Sequence, residues 1–358
     1  MKKGKNFIIP IFVPFLGCPH KCSFCNQEKI SGETNPDLNK VRNKISKYLS
    51  YITGAKKYDR VEVAYYGGSF SGLPFYVQEQ WLQPAYELKQ QGKIDGIRIS
   101  TRPDYINDKV LNFLKEFGVD TIEIGAQSLN DQVLAFADRG HTSEDVLQAA
   151  KKIKRQKINL GIQLMVGLPG DSKKRAVASA IEAAALQPDL VRIYPTLVIR
   201  NTKLEQMYNQ GEFMPWNLDE AIAVTKDMAI IFYKNKISIA RIGLQDTEEL
   251  KDGAVIAGPY HPSFGELVET AIYRDMIEVI LNQVSGGNLD IKCARAELSK
   301  VIGNKGKNKN ELMNLYNMDL SFSGDASIPK GTIIITNAGR FRKKITREEF
   351  FRKCRINI

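Results

Sequence analysis

The sequence predicts an α/β fold: six strand–helix units forming an incomplete (β/α)6 barrel, followed by a small basic α+β extension. Short runs of β-branched and aromatic residues alternate with longer mixed segments. Connections this short favour parallel strands covered by helices. The residues able to do chemistry gather at the C-terminal ends of those runs, where barrels carry their sites. From about Gly286 the rhythm changes and the chain turns basic.

"IPIFVPF" reads as the first strand, "RVEVAYYGG" as the second and "GIRISTRPD" as the third; "TIEIGAQS", "NLGIQLMVGLPG" and "LVRIYPTLV" follow. The opening "MKKGKNFIIPIFVPFLGC" has the basic head and apolar stretch of an export signal. Pro10 and Pro14 interrupt it and no small-residue cleavage site follows, so it is read as the first strand of a cytoplasmic protein. Between strands, "DKVLNFLKEFG" places Val110, Leu111, Leu114 and Phe117 on one helical face, with Gly118 able to end it. "SEDVLQAAKKIKRQ", "DSKKRAVASAIEAAALQ" and Asp219 to Lys234 are further helices. The barrel is assigned to residues 1–240 and an irregular lid rich in Gly, Pro and His to 241–286. The basic appendage, 287–358, is read as a helix at "LDIKCARAELSKVIG", a loop at "NKGKNKN", a strand at "GTIIITN" and an aromatic–basic tail.

With 43% apolar and 25% charged residues, the 358-residue chain has the make-up of a soluble globular protein. No apolar run reaches membrane-spanning length. The formal charge of +11 is concentrated at both ends, around a slightly acidic middle. Basic ends of this kind suit a polyanion held at the periphery. In the tail, Arg340, Phe341, Arg342, Lys343 and Lys344 precede Phe350, Phe351 and Arg352, so cations that track phosphates alternate with rings that stack on bases or anchor a helix.

Three of the five cysteines, Cys18, Cys22 and Cys25, fall within eight residues in "GCPHKCSFCNQ". Three thiolates suit neither a disulfide framework nor a closed tetrahedral zinc site. They suit a centre with one open position, as in an iron–sulfur cube with three protein ligands. A zinc reading needs His20 as fourth ligand, in a C-x-H-x-C run too crowded for one ion. Downstream, Gly67 and Gly68 allow close backbone approach at the end of a strand. Pro103 disfavours helix at Arg102 and fixes a polar loop there. "VGLPGD" lacks the Lys-Ser/Thr ending of a nucleotide P-loop. Cys293 and Cys354 are spare thiols.

The cysteine loop, with Phe24 before its last cysteine, resembles the C-x3-C-x2-C signature of radical S-adenosylmethionine enzymes. "YYGGSFSGLP", "STRPDY", "EIGAQS", "DRGHT" and "RIYPTLVIRNTKLEQMY" resemble the radical domain of the elongator catalytic subunit family, a tRNA wobble-uridine modifier. The likeness covers roughly residues 8–280, and no acetyltransferase domain is expected before Ile358. It implies a partial TIM-like radical barrel and a [4Fe–4S] cluster on Cys18, Cys22 and Cys25. S-adenosyl-L-methionine on the open iron would be reductively cleaved to a 5′-deoxyadenosyl radical. It further implies cofactor contacts at Gly67, Gly68, Ser69, Ser100, Arg102, Glu123, Gln127 and Arg139, with His141 beside them. Tyr194, at the end of the sixth strand, and His261 and Glu266, in "GPYHPSFGE", are the substrate-side candidates. The expected partners are RNA, above all tRNA, and a low-potential electron donor such as flavodoxin or ferredoxin; no membrane is implied. Radical modification of a small metabolite or peptide is the second reading. A catalytically silent RNA-binding or assembly factor is the third.

Overall fold

The computed structural model describes residues 6–13, 16–19, 21–27, 38–52, 58–245, 250–284, 287–337, 341–354 and 356. The expected strands are present as β1 (Asn6–Val13), β2 (Arg60–Gly67), β3 (Gly96–Thr101), β4 (Val119–Gln127), β5 (Asn159–Val166) and β6 (Leu190–Pro195). A short strand, β7 (Val198–Ile199), follows β6 and pairs elsewhere. A seventh member of the main sheet is β8 (Ser238–Ile242), from a stretch read as the join between barrel and lid. The seven run in the order β1-β2-β3-β4-β5-β6-β8, and every neighbouring pair is parallel. The predicted partial barrel is borne out and extends one strand further.

Nine helices are used to describe the barrel and its flank: α1 (Leu38–Ile52), α2 (Phe75–Gln90), α3 (Asp108–Glu116), α4 (Asp131–Phe136), α5 (Ser143–Arg155), α6 (Lys173–Ala185), α7 (Lys203–Asn209), α8 (Leu218–Lys234) and α9 (Phe264–Leu281). Apolar spacing aims their buried faces at the sheet: Val110, Leu111 and Leu114 of α3, and Val146, Ala149, Ala150 and Ile153 of α5, join one core with the strand residues. Asn107 caps α3, while Thr142 and Asp145 form a reciprocal capping box that starts α5 sharply. That sharp start fixes the loop carrying Arg139 and His141.

The stretch expected as an irregular lid holds β9 (Val255–Ala257), paired with β7, and the whole of α9. Helix α9 is a shared wall, burying Ile272, Tyr273, Met276 and Ile277 in a second core with the C-terminal strands. Those strands are β10 (Leu289–Ala294), β11 (Leu320–Asp325), β12 (Thr332–Asn337) and β13 (Phe341–Thr346), in the order β11-β10-β12-β13. "LDIKCARAELSKVIG", expected as one helix, begins instead with β10. Its period-two burial, with Leu289, Ile291 and Cys293 inside and Asp290 and Lys292 outside, favours a strand. The helical part shrinks to α10 (Leu298–Ile302), followed by α11 (Lys307–Tyr316). The chain closes with α12 (Arg347–Lys353), where Phe350 and Phe351 are buried and Phe351 stacks on Tyr233 of α8. Those two rings anchor a helix. The side chain of Phe341, Arg340 and His20 lie outside the described residues.

Candidate active site

The cysteine loop leaves β1 and crosses the turn after β2 with almost no space between backbones. A Cβ on Gly68 would lie 2.1 Å from the Leu16 carbonyl oxygen, and one on Gly17 would lie 2.1 Å from that of Ser69. Only glycine fits such an approach, and Gly17 also has φ +71°. Hydrogen bonds then hold the loop. The amides of Gly68 and Ser69 donate to the carbonyls of Val13 and Leu16, and the Gln27 side chain donates to the Gly67 carbonyl at 3.0 Å. On its other side, the Ser23 amide donates to the Ala137 carbonyl, and the Leu204 amide at the start of α7 donates to the Ser23 carbonyl.

Cys18, Cys22 and Cys25 thereby open on one cavity of about 340 Å³ at the C-terminal ends of the strands. Gly67, Gly68, Ser69, Ser100, Arg102, Glu123, Gln127, Arg139 and Tyr194 line the same space. The Cys18 thiol lies 3.6 Å from the Ser69 hydroxyl. Arg139 donates through one terminal nitrogen to the Cys22 sulfur at 2.9 Å and through the other to the Gly125 carbonyl at 2.6 Å, while its Nε is buried with no partner among the described residues. Burial, and then the adjacent Cys22 and Cys18 thiols, push the Cys25 thiol up to about 12. Such a thiol ionises readily only beside a bound cation. Among the described residues no group of three or more His, Cys, Asp and Glu side chains forms a site for an ion. Three soft sulfur donors around one cavity are nevertheless the donor set of an iron–sulfur cluster with an open iron.

At the end of β4 the pairing with β5 slips and Gln127 takes φ +68°, a backbone state costly for a side-chain-bearing residue. Its side-chain amide oxygen, Oε1, then accepts from Nε2 of Gln163 at 3.1 Å inside the cavity. Arg102 is buried and pairs through its guanidinium with both oxygens of Asp104, at 3.0–3.3 Å. His141 lies behind the cavity lining. Burial, then the charges of Arg139 and Arg102, lower its pKa to about 4. The ring is therefore neutral at pH 7, and its Nε2 donates to the Ala126 carbonyl at 3.2 Å.

Glu123, expected at the cofactor, is committed to the wall. Arg98 donates to one oxygen at 2.6 Å and Arg192 to the other at 2.6 Å; Arg98 continues to Glu62 at 2.5 Å, and Arg192 to the Tyr66 hydroxyl at 2.7 Å. Burial by itself would raise the Glu123 carboxyl, but Arg192 and Arg98 outweigh it and hold the group below its ordinary range. Arg192 also approaches the Tyr194 hydroxyl at 3.5 Å. His261 and Glu266 fall outside the cavity lining: His261 Nδ1 accepts from the Ser263 amide in a local turn, and Glu266 is exposed on the first turn of α9.

Sequence reasoning passed over Tyr66, Gln163, Arg192, Arg241 and Gln245, which also line the cavity. A signal was present: single polar residues sit inside β-branched runs, as in "IRIST", "IEIG", "GIQLM" and "VRIYP". Register sets several of them side by side, Ser100 with Glu123, Gln163 with Arg192, and Arg192 with Arg241.

A parallel partial barrel with three cysteines beside a glycine turn at its catalytic end defines a class of cofactor-dependent radical enzymes. The chain belongs to the radical SAM superfamily: the Radical SAM superfamily model matches residues 12–180 and the Radical_SAM C-terminal domain matches residues 188–274. It is a radical SAM enzyme, and membership implies use of S-adenosylmethionine and a [4Fe–4S] cluster. An uncharacterized protein of Methanocaldococcus jannaschii is 30% identical over 236 residues, 63% of this chain and 71% of that protein. The tRNA uridine(34) acetyltransferase of the same organism is 26% identical over 289 residues, 70% of this chain and 52% of the relative. The chain thus spans about half the length of that acetyltransferase. A solved structure of the archaeal Methanocaldococcus infernus Elp3 with an N-terminal deletion is similar at TM-score 0.62 and 25% identity, covering 76% of this chain and 63% of that one. The radical domain is Elp3-like. Among the described residues, no helix is long and apolar enough to cross a membrane.

Proposed function

We propose that this enzyme modifies an RNA base, in tRNA, at the cavity where the cysteine loop meets the polar wall of β4, β5, β6 and β8. The observation that carries the reading is the joining of two chemistries in one space. Thiols and a glycine turn lie at one side, and Gln163, Arg192, Tyr194 and Arg241 lie at the other. The similarity to proteins named for tRNA uridine(34) points the same way.

Cys18, Cys22 and Cys25 are assigned to hold the cluster. When bound, it and S-adenosylmethionine supply a 5′-deoxyadenosyl radical, able to attack carbon centres that resist acid–base chemistry. The backbone at Gly67 and Gly68, with Ser69, Ser100, Gln127 and Arg102, is assigned to cradle the methionyl and ribose portions. Arg139 is assigned to meet the methionyl carboxylate, and its bonds to Gly125 and the Cys22 thiol, which hold a cation beside the sulfurs, support that role. Glu123 holds Arg192 rigid, and Arg192 in turn orients Tyr66 and Tyr194 toward the substrate space. A substrate filling this open cavity would keep water from a reactive intermediate. A low-potential donor such as flavodoxin or ferredoxin would supply the electron.

Nucleoside mass profiling of tRNA from a strain lacking the protein tests the reading. A modified nucleoside absent from the deletion strain and restored by the wild-type gene, but not by a Cys22→Ala gene, is expected. An unchanged nucleoside profile contradicts the RNA assignment.

A further inference from the structure

The arginines around the cavity differ in what engages them. Arg98 and Arg192 share Glu123, Arg102 has Asp104, and Arg139 is engaged by the Cys22 thiol and the Gly125 carbonyl. Arg139 therefore has no acidic partner among the described residues, but both its terminal nitrogens are engaged and it is buried; Arg241 is held only at the rim. Among the described residues its guanidinium forms no ion pair and donates to the neutral side-chain carbonyl of Gln245 at 3.3 Å. Both residues line the cavity.

Its position adds to this. Arg241 lies on β8, the edge strand at the opposite end of the sheet order from β1, and is register partner of Arg192. Two guanidinium-bearing residues are therefore lateral neighbours, with one internal countercharge, Glu123, on Arg192. Arg241 is half-buried and Gln245 exposed, so the pair sits at the rim rather than in the depth. A partly desolvated cation at a rim binds an anion more strongly than one on open surface. Its planar fork also matches two oxygens of a phosphate.

We propose that Arg241, braced by Gln245, is an anion subsite for the substrate, and that its ligand is a backbone phosphodiester beside the nucleotide that enters the cavity. This rests on the RNA reading above. A nucleotide drawn out of its stack to reach a reactive centre carries its flanking phosphates past the rim. A contact there fixes register without reading sequence, leaving the base to Gln163, Arg192 and Tyr194.

The test uses the full chain, anaerobically reconstituted, and fluorescence anisotropy with a labelled tRNA anticodon stem–loop over a salt series. Arg241→Gln is expected to weaken binding by about tenfold and to reduce the slope of log affinity against log salt by about 0.7, the share of one single-strand phosphate. Arg241→Lys, which keeps the charge, should recover most of the salt slope. Replacing phosphates one at a time by neutral methylphosphonate should reveal one linkage whose neutralisation weakens the wild type and leaves Arg241→Gln unchanged. Thermal melting of each variant separates a lost contact from a lost fold. If the wild type binds the stem–loop and a folded Arg241→Gln protein binds it with the same affinity and slope, the subsite is overturned while the RNA reading stands. If the wild type binds no RNA but binds uridine monophosphate through Arg241, the diester assignment and the RNA reading fall together.

Discussion

In the barrel, Glu62, Arg98, Glu123 and Arg192 lie inside the fold, each no more than 8% exposed, and form one continuous chain of ion pairs. The C-terminal sheet handles charge differently: Asp290 and Lys292 of β10 face outward, while Leu289, Ile291 and Cys293 of the same strand fill the core against α9. One region holds four charges deep in the fold; in the other, β10 gives its charges to water, and the Arg347–Glu269 pair beside Tyr233 stays partly exposed. Buried ion pairs are weak contributors to stability compared with packed hydrocarbon. Their retention around a cavity beside the cysteine loop is therefore accounted for by site architecture, and the apolar filling of the inner face of β10 by a scaffolding role.

The largest expected effect falls on the cysteine loop. Alanine at Cys18, Cys22 or Cys25 should abolish both iron retention after anaerobic reconstitution and 5′-deoxyadenosine formation, whereas Cys293→Ala in the second core should leave iron content unchanged. Iron analysis of the four proteins decides it, and equal iron in all would dissolve the contrast between the two regions.

Next comes the ion-pair chain. Glu123→Ala leaves two buried guanidiniums without their shared carboxylate and should cost about 3–5 kcal/mol in denaturant unfolding. Lys292→Ala, on the outward face of β10, should leave the unfolding midpoint where it was. Similar losses in the two variants would break the comparison.

His141 gives a smaller, pH-dependent effect. Its folded pKa, lowered to about 4 from the ordinary 6.5, means the unfolded chain takes up the proton first as pH falls. Stability is then fully present above pH 6.5 and is lost progressively down to about pH 4, by up to about 3 kcal/mol. Unfolding titrations of wild type and His141→Gln should diverge in slope across that window. Parallel curves would remove His141 from the barrel's acid sensitivity.

The smallest effect is expected on the basic segment "NKGKNKN", which is not the expected loop but a 3-10 turn at Asn304–Gly306 running into the first turn of α11. Lys305 and Lys307 are exposed and Lys309 half-buried, and Lys307 pairs with the exposed Asp219 at 2.9 Å. A single exposed pair contributes little to stability. Neutralising all three lysines should therefore leave melting nearly unchanged while making RNA affinity less salt-dependent. An unchanged salt slope would move the docking surface off this segment.

Much of the barrel was legible because parallel strands covered on both faces write themselves as β-branched runs. The seventh strand was not, since "SIARI" is short, lies at an edge and is only half-buried. Strand β10 was hidden because its alternation runs directly into helix-forming residues. The cysteines, the glycine turn, Gln127 and Arg139 stand out by residue type and spacing, and the fold brings them to one cavity. Glu123 was legible as a site residue but its ion pairs were not, because its arginine partners come from β3 and β6 and strand register is not written in local sequence. Arg192 and Arg241 escaped for the same reason. His261 and Glu266 were chosen as polar residues of a loop expected to fold over the substrate; the structure puts them in a local turn and at the exposed start of α9, outside the cavity lining.

The account stands or falls on whether the cysteine side and the polar side of the cavity act together on RNA. The direct measurement is the rate of 5′-deoxyadenosine formation by the reconstituted full chain, with chemical reductant, in the presence and absence of purified tRNA from the deletion strain. The account predicts a rate raised several-fold by that tRNA, the increase removed by ribonuclease and the whole rate absent in Cys22→Ala. The same rate with and without tRNA, from a protein that carries its cluster and cleaves the cofactor, would contradict it.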